Sequence, residues 1–546
     1  MEPIDFGYSM KNIPIASKQR YKLKLTEKVE SVLKRMRWKA LFFDKRNKRS
    51  ENEENPRVEE ENVFRFKSRK CPEQPIAMKH FESEVADLIK DIKFRKFNSR
   101  FQQKLRTDVK RIQESENVFV SADKTQNFYE MTKEDYNRIL LQNVTKTYRK
   151  SPRDLPLKIN KEAKKIAKSH NLDNKIDQIN EQQCFITVKD HKEDFRANPK
   201  YRLINPTKSE MGKLSKSILD RVNKDMRDQL GFNQWKDKNS VIDWFNGIAN
   251  KSNCTFVVFD IEEFYPSISE KLLKDSIIFA ETRVEISAKE KEILFHCRKS
   301  LLFHNDEAWI KSKGNKDFDV TMGSNDGAEV CELVGLYLLS LIAEKFPKED
   351  TGLYRDDGLA VIRSRSGRHA DIYRKTVQKI MKDNGLKVVV KCNLKIVDYL
   401  DITFNLETGT YKPFKKPNNN PRYVHTESNH PFNITKQIPK SISQRISANS
   451  SSEAIFYDAA PYYNDRLREA GYSEEIRYAE EGMDTQNRTQ RRNRKRNVIW
   501  FNPPFCKSVE TNVGQTFLRL VDKHFPRTHK YHKIFNRNTL KVSDCA

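Results

Sequence analysis

The chain has 546 residues, with 103 Lys and Arg against 76 Asp and Glu and a formal charge of +27, a surplus that favours a polyanionic partner, nucleic acid ahead of an anionic membrane surface. No apolar stretch approaches the length that spans a bilayer, and the opening Met1-Glu2-Pro3-Ile4-Asp5 lacks the basic-then-apolar layout of a secretory signal, so no membrane role is expected. The eight cysteines are scattered without a C-x-x-C pair, which argues against a zinc module or a disulfide scaffold and for a reducing compartment.

Residues 1–115 read as a basic, mostly helical N-terminal region, with Glu30–Lys39 and Phe81–Arg106 mixing Lys, Arg and apolar residues at helical spacing. Residues 44–62 are almost wholly polar and read as a linker or disordered loop. Clusters such as Lys67-Ser68-Arg69-Lys70 fit phosphate contact and a solvated helix face equally well. In the next region, 116–254, Phe185-Ile186-Thr187-Val188 is a strand candidate. It runs into Lys189-Asp190-His191-Lys192, a polar loop to Lys200, and then Tyr201-Arg202-Leu203-Ile204-Asn205-Pro206. Two such strands make a basic hairpin whose Arg202 is able to clamp a triphosphate bidentately; an ordinary surface hairpin would carry the same pattern. Met211–Leu230 follows as an amphipathic helix with Leu214, Ile218 and Val222 on one stripe.

The region 255–430 carries the chemistry. Thr255-Phe256-Val257-Val258-Phe259 is rich in β-branched and aromatic residues, as strands are, and ends in Asp260. Tyr354-Arg355-Asp356-Asp357, bracketed by Gly352 and Gly358, precedes the apolar run Leu359-Ala360-Val361-Ile362 and reads as a tight hairpin with two carboxylates at its tip. Side by side, the two elements bring three carboxylates to one sheet edge, where they repel unless cations sit between them. Two Mg²⁺ ions, or Mn²⁺ in their place, would activate a hydroxyl and stabilise a leaving oxygen in an in-line phosphoryl transfer, which is polymerase chemistry. An Asp-Asp pair alone is an ordinary turn; the conjunction with Asp260 and an aromatic five residues after it is what points to a site.

That aromatic, Tyr265, would lie under the sugar of an incoming nucleotide and collide with a 2′-hydroxyl, selecting deoxynucleotides; a core aromatic is the alternative. Glu262 and Glu263 read as solvated or paired with lysines, and a helix is expected over Ser269–Ala280. Thr321-Met322-Gly323-Ser324-Asn325-Asp326-Gly327-Ala328 is a small-residue turn opening an apolar helix, which lets backbone approach a base pair closely. Beyond the hairpin come a helix over Ala370–Asn384, a strand Gly385–Val390 and a second strand Val397–Phe404. Lys387 or Lys391 is a candidate to protonate a departing pyrophosphate, with plain surface lysines as the alternative. From Pro431 the pattern turns helical, with Phe456, Tyr457, Tyr462, Tyr463 and Tyr472. The run Arg491-Arg492-Asn493-Arg494-Lys495-Arg496 fits phosphate contact or nuclear import. His524, His529 and His532 lack matched Cys or acidic spacing and read as basic duplex-contacting surface rather than a metal site.

In this order the motifs resemble the reverse transcriptases, and among them the Penelope-like retroelement family. The segments Lys189–Lys192 and Arg202-Leu203-Ile204, Phe259-Asp260-Ile261 with Tyr265, Met322-Gly323-Ser324 and Tyr354–Asp357 follow the reverse-transcriptase series. Tyr399-Leu400-Asp401-Ile402, Tyr411-Lys412-Pro413-Phe414-Lys415-Lys416-Pro417, Arg422-Tyr423-Val424-His425 and Ser428-Asn429-His430-Pro431 then resemble a run found in the Penelope-like family and lacking in general reverse transcriptases. Ser121-Ala122-Asp123-Lys124 resembles the family's upstream Asp-Lys-Gly motif, with Thr125 in place of the glycine. The resemblance covers roughly residues 115–540. Two departures stand out: Ser324-Asn325-Asp326-Gly327 replaces a more usual Pro-Leu-Ser continuation, and no GIY-YIG nuclease, carried after the thumb by many members, is read before Ala546. A chain cut short or an element using a pre-existing 3′ end is expected.

The resemblance implies an α+β multidomain, right-hand polymerase related in architecture to telomerase. Fingers with an N-terminal extension would occupy 116–254, a palm of antiparallel sheet plus helices 255–430, and a helical basic thumb 431–546. It further implies Asp260, Asp356 and Asp357 as catalytic metal ligands with Ile261 beside them, and Tyr265, Arg202, Lys189, Gly323 and Ile261 as substrate contacts. Leu400 and Asp401 would form the primer grip. The expected activity is RNA-directed DNA synthesis from a DNA 3′-hydroxyl, with template RNA, an RNA–DNA hybrid and dNTPs as partners, in the nucleus. An RNA-directed RNA polymerase and an inert nucleic-acid-binding remnant are the rival readings.

Overall fold

A computed structural model describes residues 11–49, 71–97, 99–172, 181–190, 194–206, 208–312, 318–415, 420–479 and 498–543. Most of the expected linker, the Lys67–Lys70 cluster, His191-Lys192, Lys416-Pro417 and the Arg491–Arg496 run lie outside the described residues. Helices and mainly antiparallel sheets alternate along the chain and pack into several cores, so the fold is α+β and multidomain, as the sequence implies.

The central sheet is built from β1 (Asn233–Gln234), β2 (Thr255–Ile261), β3 (Thr351–Tyr354), β4 (Asp357–Ile362) and β5 (Val388–Leu394), in the spatial order β5-β2-β4-β3-β1. Side chains alternate across a strand, and β2 uses both faces. Val257, Phe259 and Ile261 enter a core shared with the helices Glu210–Leu230, Glu270–Glu281, Gly327–Ala343 and Gly367–Asp383. Phe256 enters a second core on the opposite face. That face is covered by the helix Lys238–Asn246 and by a three-stranded meander of β6 (Ile396–Tyr399), β7 (Ile402–Asn405) and β8 (Thr410–Pro413). The Gly327–Ala343 helix is apolar nearly all round because it is buried along its length, Val330, Leu333, Val334, Leu336, Leu338, Leu339 and Ile342 all being at most 3% exposed. Each such side chain contributes roughly 1.5–3 kcal/mol of burial.

Several sequence readings are corrected. Val397–Phe404, expected as one strand, is a hairpin: Leu400 adopts φ 56° and the chain reverses between Tyr399 and Ile402. Phe81–Arg106, expected as one helix, is two, Lys79–Lys90 and Arg100–Glu114, because Phe94 bridges to Val509 and Ser99 caps the second. The polar stretch starting at 44 is helical to Arg49, the end of a 32-residue helix from Lys18. Asp44 is held there by the Tyr531 hydroxyl at 2.5 Å, a partner that local polarity does not reveal.

The C-terminal segment is divided between two cores. Phe432–Ala448 and Glu453–Glu469 pack on each other through Ile442, Ile446, Phe456 and Leu467. Residues 499–540 join the N-terminal helices instead. Leu25, Val32, Met36 and Phe81 share one core with Phe501, Phe517, Phe525 and Tyr531, beside a parallel ladder of Ile499–Phe501 with Leu540–Val542. The two ends of the chain therefore build one module. The run Ser428-Asn429 fastens it: Ser428 and Asn429 are buried, the Ile13 amide donates to Ser428 Oγ at 2.9 Å, the Asn429 amide donates to the Ile13 carbonyl at 3.0 Å, and the Lys507 amide donates to Asn429 Oδ1 at 2.9 Å.

Candidate active site

β2 and β4 pair antiparallel in a register that sets Asp260 opposite Asp357, Val258 opposite Leu359 and Phe256 opposite Val361. Directly opposed residues share a sheet face with Cβ atoms about 4.5–5.5 Å apart, so Asp260 and Asp357 stand side by side on the face that carries the meander. Asp356 occupies the two-residue turn between β3 and β4, and the Ile261 amide donates to its carbonyl at 3.0 Å. The strand end bearing Asp260 is thereby fastened to the turn. Ile261 has a buried side chain, so any part it takes at the carboxylates falls to its backbone.

The turn is strained where it matters. Arg355 sits at φ 56°, a left-handed conformation that costs a non-glycine residue about 1–3 kcal/mol and persists only where the surroundings enforce it. The glycines bracketing the tetrapeptide do a different job from the one their turn-like position suggests, since neither has positive φ. A Cβ on Gly352 would fall 2.3 Å from the Trp235 ring, and one on Gly358 would fall 2.1 Å from the Phe259 ring. Each glycine makes room for an aromatic ring against its strand. The Tyr399 hydroxyl donates to the Asp357 carbonyl at 2.6 Å, tying the Leu400-Asp401 turn to the Asp357 strand; burial first, and then Asp357, push the Tyr399 phenol well above its usual range. The Phe414 amide donates to the Asp401 carbonyl at 2.9 Å, closing the base of that turn.

Tyr265 lies in the short helix Phe264–Ser267, half-buried, with its ring against the start of the Gly327–Ala343 helix. A Cβ at Gly327 would fall 2.7 Å from Ser324 Oγ and 2.8 Å from the Thr321 carbonyl oxygen, so glycine is what lets the Thr321–Ser324 turn close on the helix start, while Tyr265 Cε1 would stand at an ordinary 3.4 Å. Burial raises the Tyr265 phenol, with Cys331 and Asp356 adding and Arg355 opposing. The ring therefore stays neutral beside the carboxylate turn. Gly323 has φ 112°, and a Cβ there would fall 2.4 Å from the Asn205 carbonyl oxygen, while the Asn205 amide donates to the Met322 carbonyl at 3.1 Å. In this way the basic hairpin, Phe185–Val188 paired with Tyr201–Ile204, is joined to the Met322-Gly323 turn and through it to Tyr265.

Arg202 is engaged within the protein. Its Nη1 donates to Asp123 Oδ1 at 2.8 Å, with the Asp123 side chain 8% exposed and that of Arg202 31%. The other carboxylate oxygen, Asp123 Oδ2, is buried without a hydrogen-bond partner. Lys189 is half-buried at the hairpin's loop end, where its amide donates to the Lys200 carbonyl at 2.8 Å. Its neighbour Asp190 is a clamp: one carboxylate oxygen accepts from Thr125 Oγ1, Asn127 Nδ2 and Tyr129 OH. Sequence reasoning quoted Asp123, Asp190 and Tyr399 within motifs but missed these pairings and the Tyr399 tie to Asp357, and it missed Trp235; no local signal marks any of these partners. The departure at Asp326 is built into the core, where Asp326 pairs with the buried Arg298 and accepts from Ser215.

Asp260 and Asp357, opposed in the β2–β4 register, offer hard carboxylate oxygens without thiol or imidazole, a donor type that suits Mg²⁺ or Mn²⁺. Among the described residues no three His, Cys, Asp or Glu side chains close into a cage. An open row of carboxylates is what Mg²⁺ uses when substrate phosphates and water complete its shell.

No protein-family model and no curated protein matches the chain. Among solved structures it is similar to telomerase from Candida albicans in complex with a TWJ fragment of telomeric RNA, at 11% identity and TM-score 0.44 over 80% of this chain and 78% of that one. It is also similar to truncated apo telomerase from Candida tropicalis, at 12% identity and TM-score 0.38 over 72% and 90%. A third likeness is to the RNA-dependent RNA polymerase of a human picobirnavirus, at 10% identity and TM-score 0.36 over 50% and 55%. Scores this low describe a distant likeness of shape and identify neither family nor activity.

Proposed function

We propose that the chain is an RNA-directed DNA polymerase of the Penelope-like kind, acting from a DNA 3′-hydroxyl on an RNA template. The observation that carries the reading is the β2–β4 register, which sets Asp260 opposite Asp357 at the mouth of the Tyr354–Asp357 hairpin. The central sheet would be the palm, the basic hairpin and its neighbours the fingers, and the Phe432–Glu469 helices the thumb. Asp260, Asp356 and Asp357, with the Ile261 backbone, would hold two divalent cations together with the nucleotide's phosphates. Those cations, when bound, supply activation of the attacking hydroxyl and charge stabilisation at the leaving oxygen.

The chain's own residues do the rest. Arg202 presents guanidinium nitrogens to phosphate while Asp123 holds it in place, and Lys189 adds charge beside it. The neutral Tyr265 ring excludes a 2′-hydroxyl, and Gly323 lets backbone approach the nascent pair. The Leu400-Asp401 turn, tied to Asp357 through Tyr399, sets the primer end against the carboxylates. Affinity for the hybrid falls steeply with salt, as expected of a chain with this charge, and a nuclear site of action accords with the basic runs.

The test is primer extension on an RNA template, with dNTPs or rNTPs and Mg²⁺, comparing the wild type with Asp356→Ala/Asp357→Ala. Extension with dNTPs that vanishes in the variant is expected. Extension with rNTPs alone would replace the reading with an RNA-directed RNA polymerase, and hybrid binding without extension by either protein would leave a binding remnant.

A further inference from the structure

The module built from both chain ends carries a feature that the polymerase reading does not use. Residues 11–49, 71–97 and 498–543 hold 27 Lys and Arg against 10 Asp and Glu, and the Lys18–Arg49 helix alone has 13 against 3. This helix buries one stripe, Tyr21, Leu25, Val29, Val32, Met36 and Ala40, in the composite core. A flanking stripe, about 100° round the helix and at the same three- and four-residue spacing, carries Arg20, Lys24, Lys28, Arg35, Phe42 and Lys45, all exposed, with half-buried Trp38 between Arg35 and Phe42. Trp38 and Phe42 stack with centroids 5.5 Å apart at 23°, and Phe42 is 55% exposed. Arg35 Nη2 donates to the Trp500 carbonyl at 2.7 Å, which brings a third aromatic, 40% exposed, beside the stripe from the other end of the chain.

Exposed aromatic rings next to one another are costly on a water-facing helix unless something covers them. Cations alone would fit any polyanion, but cations interleaved with open ring faces fit a strand whose bases are unpaired. Phosphates meet Arg20, Lys24, Lys28, Arg35 and Lys45, while a splayed base stacks on Trp38, Phe42 or Trp500. A duplex keeps its bases stacked on each other and offers the rings nothing. We infer that this helix face, with Trp500, is a binding site for single-stranded nucleic acid, separate from the carboxylate site. The proposal stands independently of the polymerase reading.

The test uses the full chain. Fluorescence anisotropy follows binding of a labelled 20-nucleotide single-stranded RNA, its DNA counterpart and a blunt duplex, and a 4-thiouridine version of the RNA is photo-cross-linked and mapped to peptides. Cross-links within residues 18–45 and around 500 are expected, with Trp38→Ala/Phe42→Ala weakening single-strand binding about tenfold or more while leaving duplex binding unchanged. Arg20→Ala/Lys24→Ala/Lys28→Ala should lower the salt slope by about 0.7 per lost phosphate contact. Lys375→Ala/Lys379→Ala, on a remote helix, should change neither. Stronger binding of RNA than DNA would assign the site to RNA, and equal binding to single strands generally; both uphold it. Cross-links confined to other segments, or unchanged single-strand affinity in a folded Trp38→Ala/Phe42→Ala protein, would overturn it. Circular dichroism and an unchanged melting temperature establish folding.

Discussion

Gly358→Ala tests the packing that holds β2 and β4 in register. The added Cβ would fall 2.1 Å from Phe259 Cε2 and Cζ, where ordinary contact begins at 3.4 Å, so ring and strand must separate by more than an ångström. Phe259 is 1% exposed and has nowhere to go. Overpacking a filled core costs about 1–3 kcal/mol, and this site belongs at the upper end, about 3 kcal/mol. Because Gly358 pairs with Phe259 one residue from the Asp260–Asp357 pair, nucleotide incorporation should fall with stability. Phe259→Leu alone should cost about 1–2 kcal/mol, while the double variant should resemble Phe259→Leu rather than the sum, a coupling of about 3 kcal/mol. Urea midpoints followed by tryptophan fluorescence, alongside dNTP incorporation, give both readouts. Additive losses in the double variant would refute the reasoning, because they would mean that Gly358 is needed for something other than the ring.

Other perturbations separate the parts of the site. Tyr265→Ala should raise the ratio of ribonucleotide to deoxyribonucleotide kcat/KM about tenfold, some 1.4 kcal/mol of discrimination; an unchanged ratio in single-nucleotide competition would remove the ring from sugar selection. Asp123→Asn leaves Arg202 with a neutral partner and should raise the dNTP KM about three- to tenfold while kcat changes less, read from steady-state kinetics; a fall in kcat alone would count against phosphate contact by Arg202. His296 is 93% buried by side-chain area, with Glu162 at 3.7 Å, and burial, the leading cause, lowers its pKa. The unfolded chain therefore takes up the proton first as pH falls below about 6.5, so stability should decline on acidification through that range. Melting curves at pH 5.5 and 7.5 should differ more for wild type than for His296→Gln.

What the sequence made legible is what local chemistry encodes. Asp260 at the end of a β-branched run and Asp356-Asp357 at a short turn announce themselves, because strand and turn preferences act over a few residues. The bracketing glycines were legible as residues and illegible as causes: Trp235 and Phe259, which need their missing side chains, are set by sheet register rather than by neighbours in sequence. Leu400 looked like mid-strand because a leucine at φ 56° contradicts its own preference, and the Tyr399 bond to Asp357, the Phe414 bond to Asp401 and the Tyr399–Ile402 pairing hold it there. The Asp123–Arg202 pair spans 79 residues and the Asp326–Arg298 pair is buried; nothing in periodicity marks either.

The union of the two chain ends has a consequence for how the protein is made. The Lys18–Arg49 helix emerges from the ribosome early, yet Trp500, which meets Arg35, follows 465 residues later. At synthesis rates of about 5–20 residues per second, the helix waits roughly 20–90 s with its apolar stripe covered by the Lys79–Lys90 helix alone and open where Phe501, Phe517, Phe525 and Tyr531 will pack. Throughout that interval the nascent chain presents a sticky ridge that chaperones or other emerging copies can bind. A ribosome that stalls before 499 leaves the C-terminal half of that core unfilled for good, which marks unfinished molecules as different from finished ones.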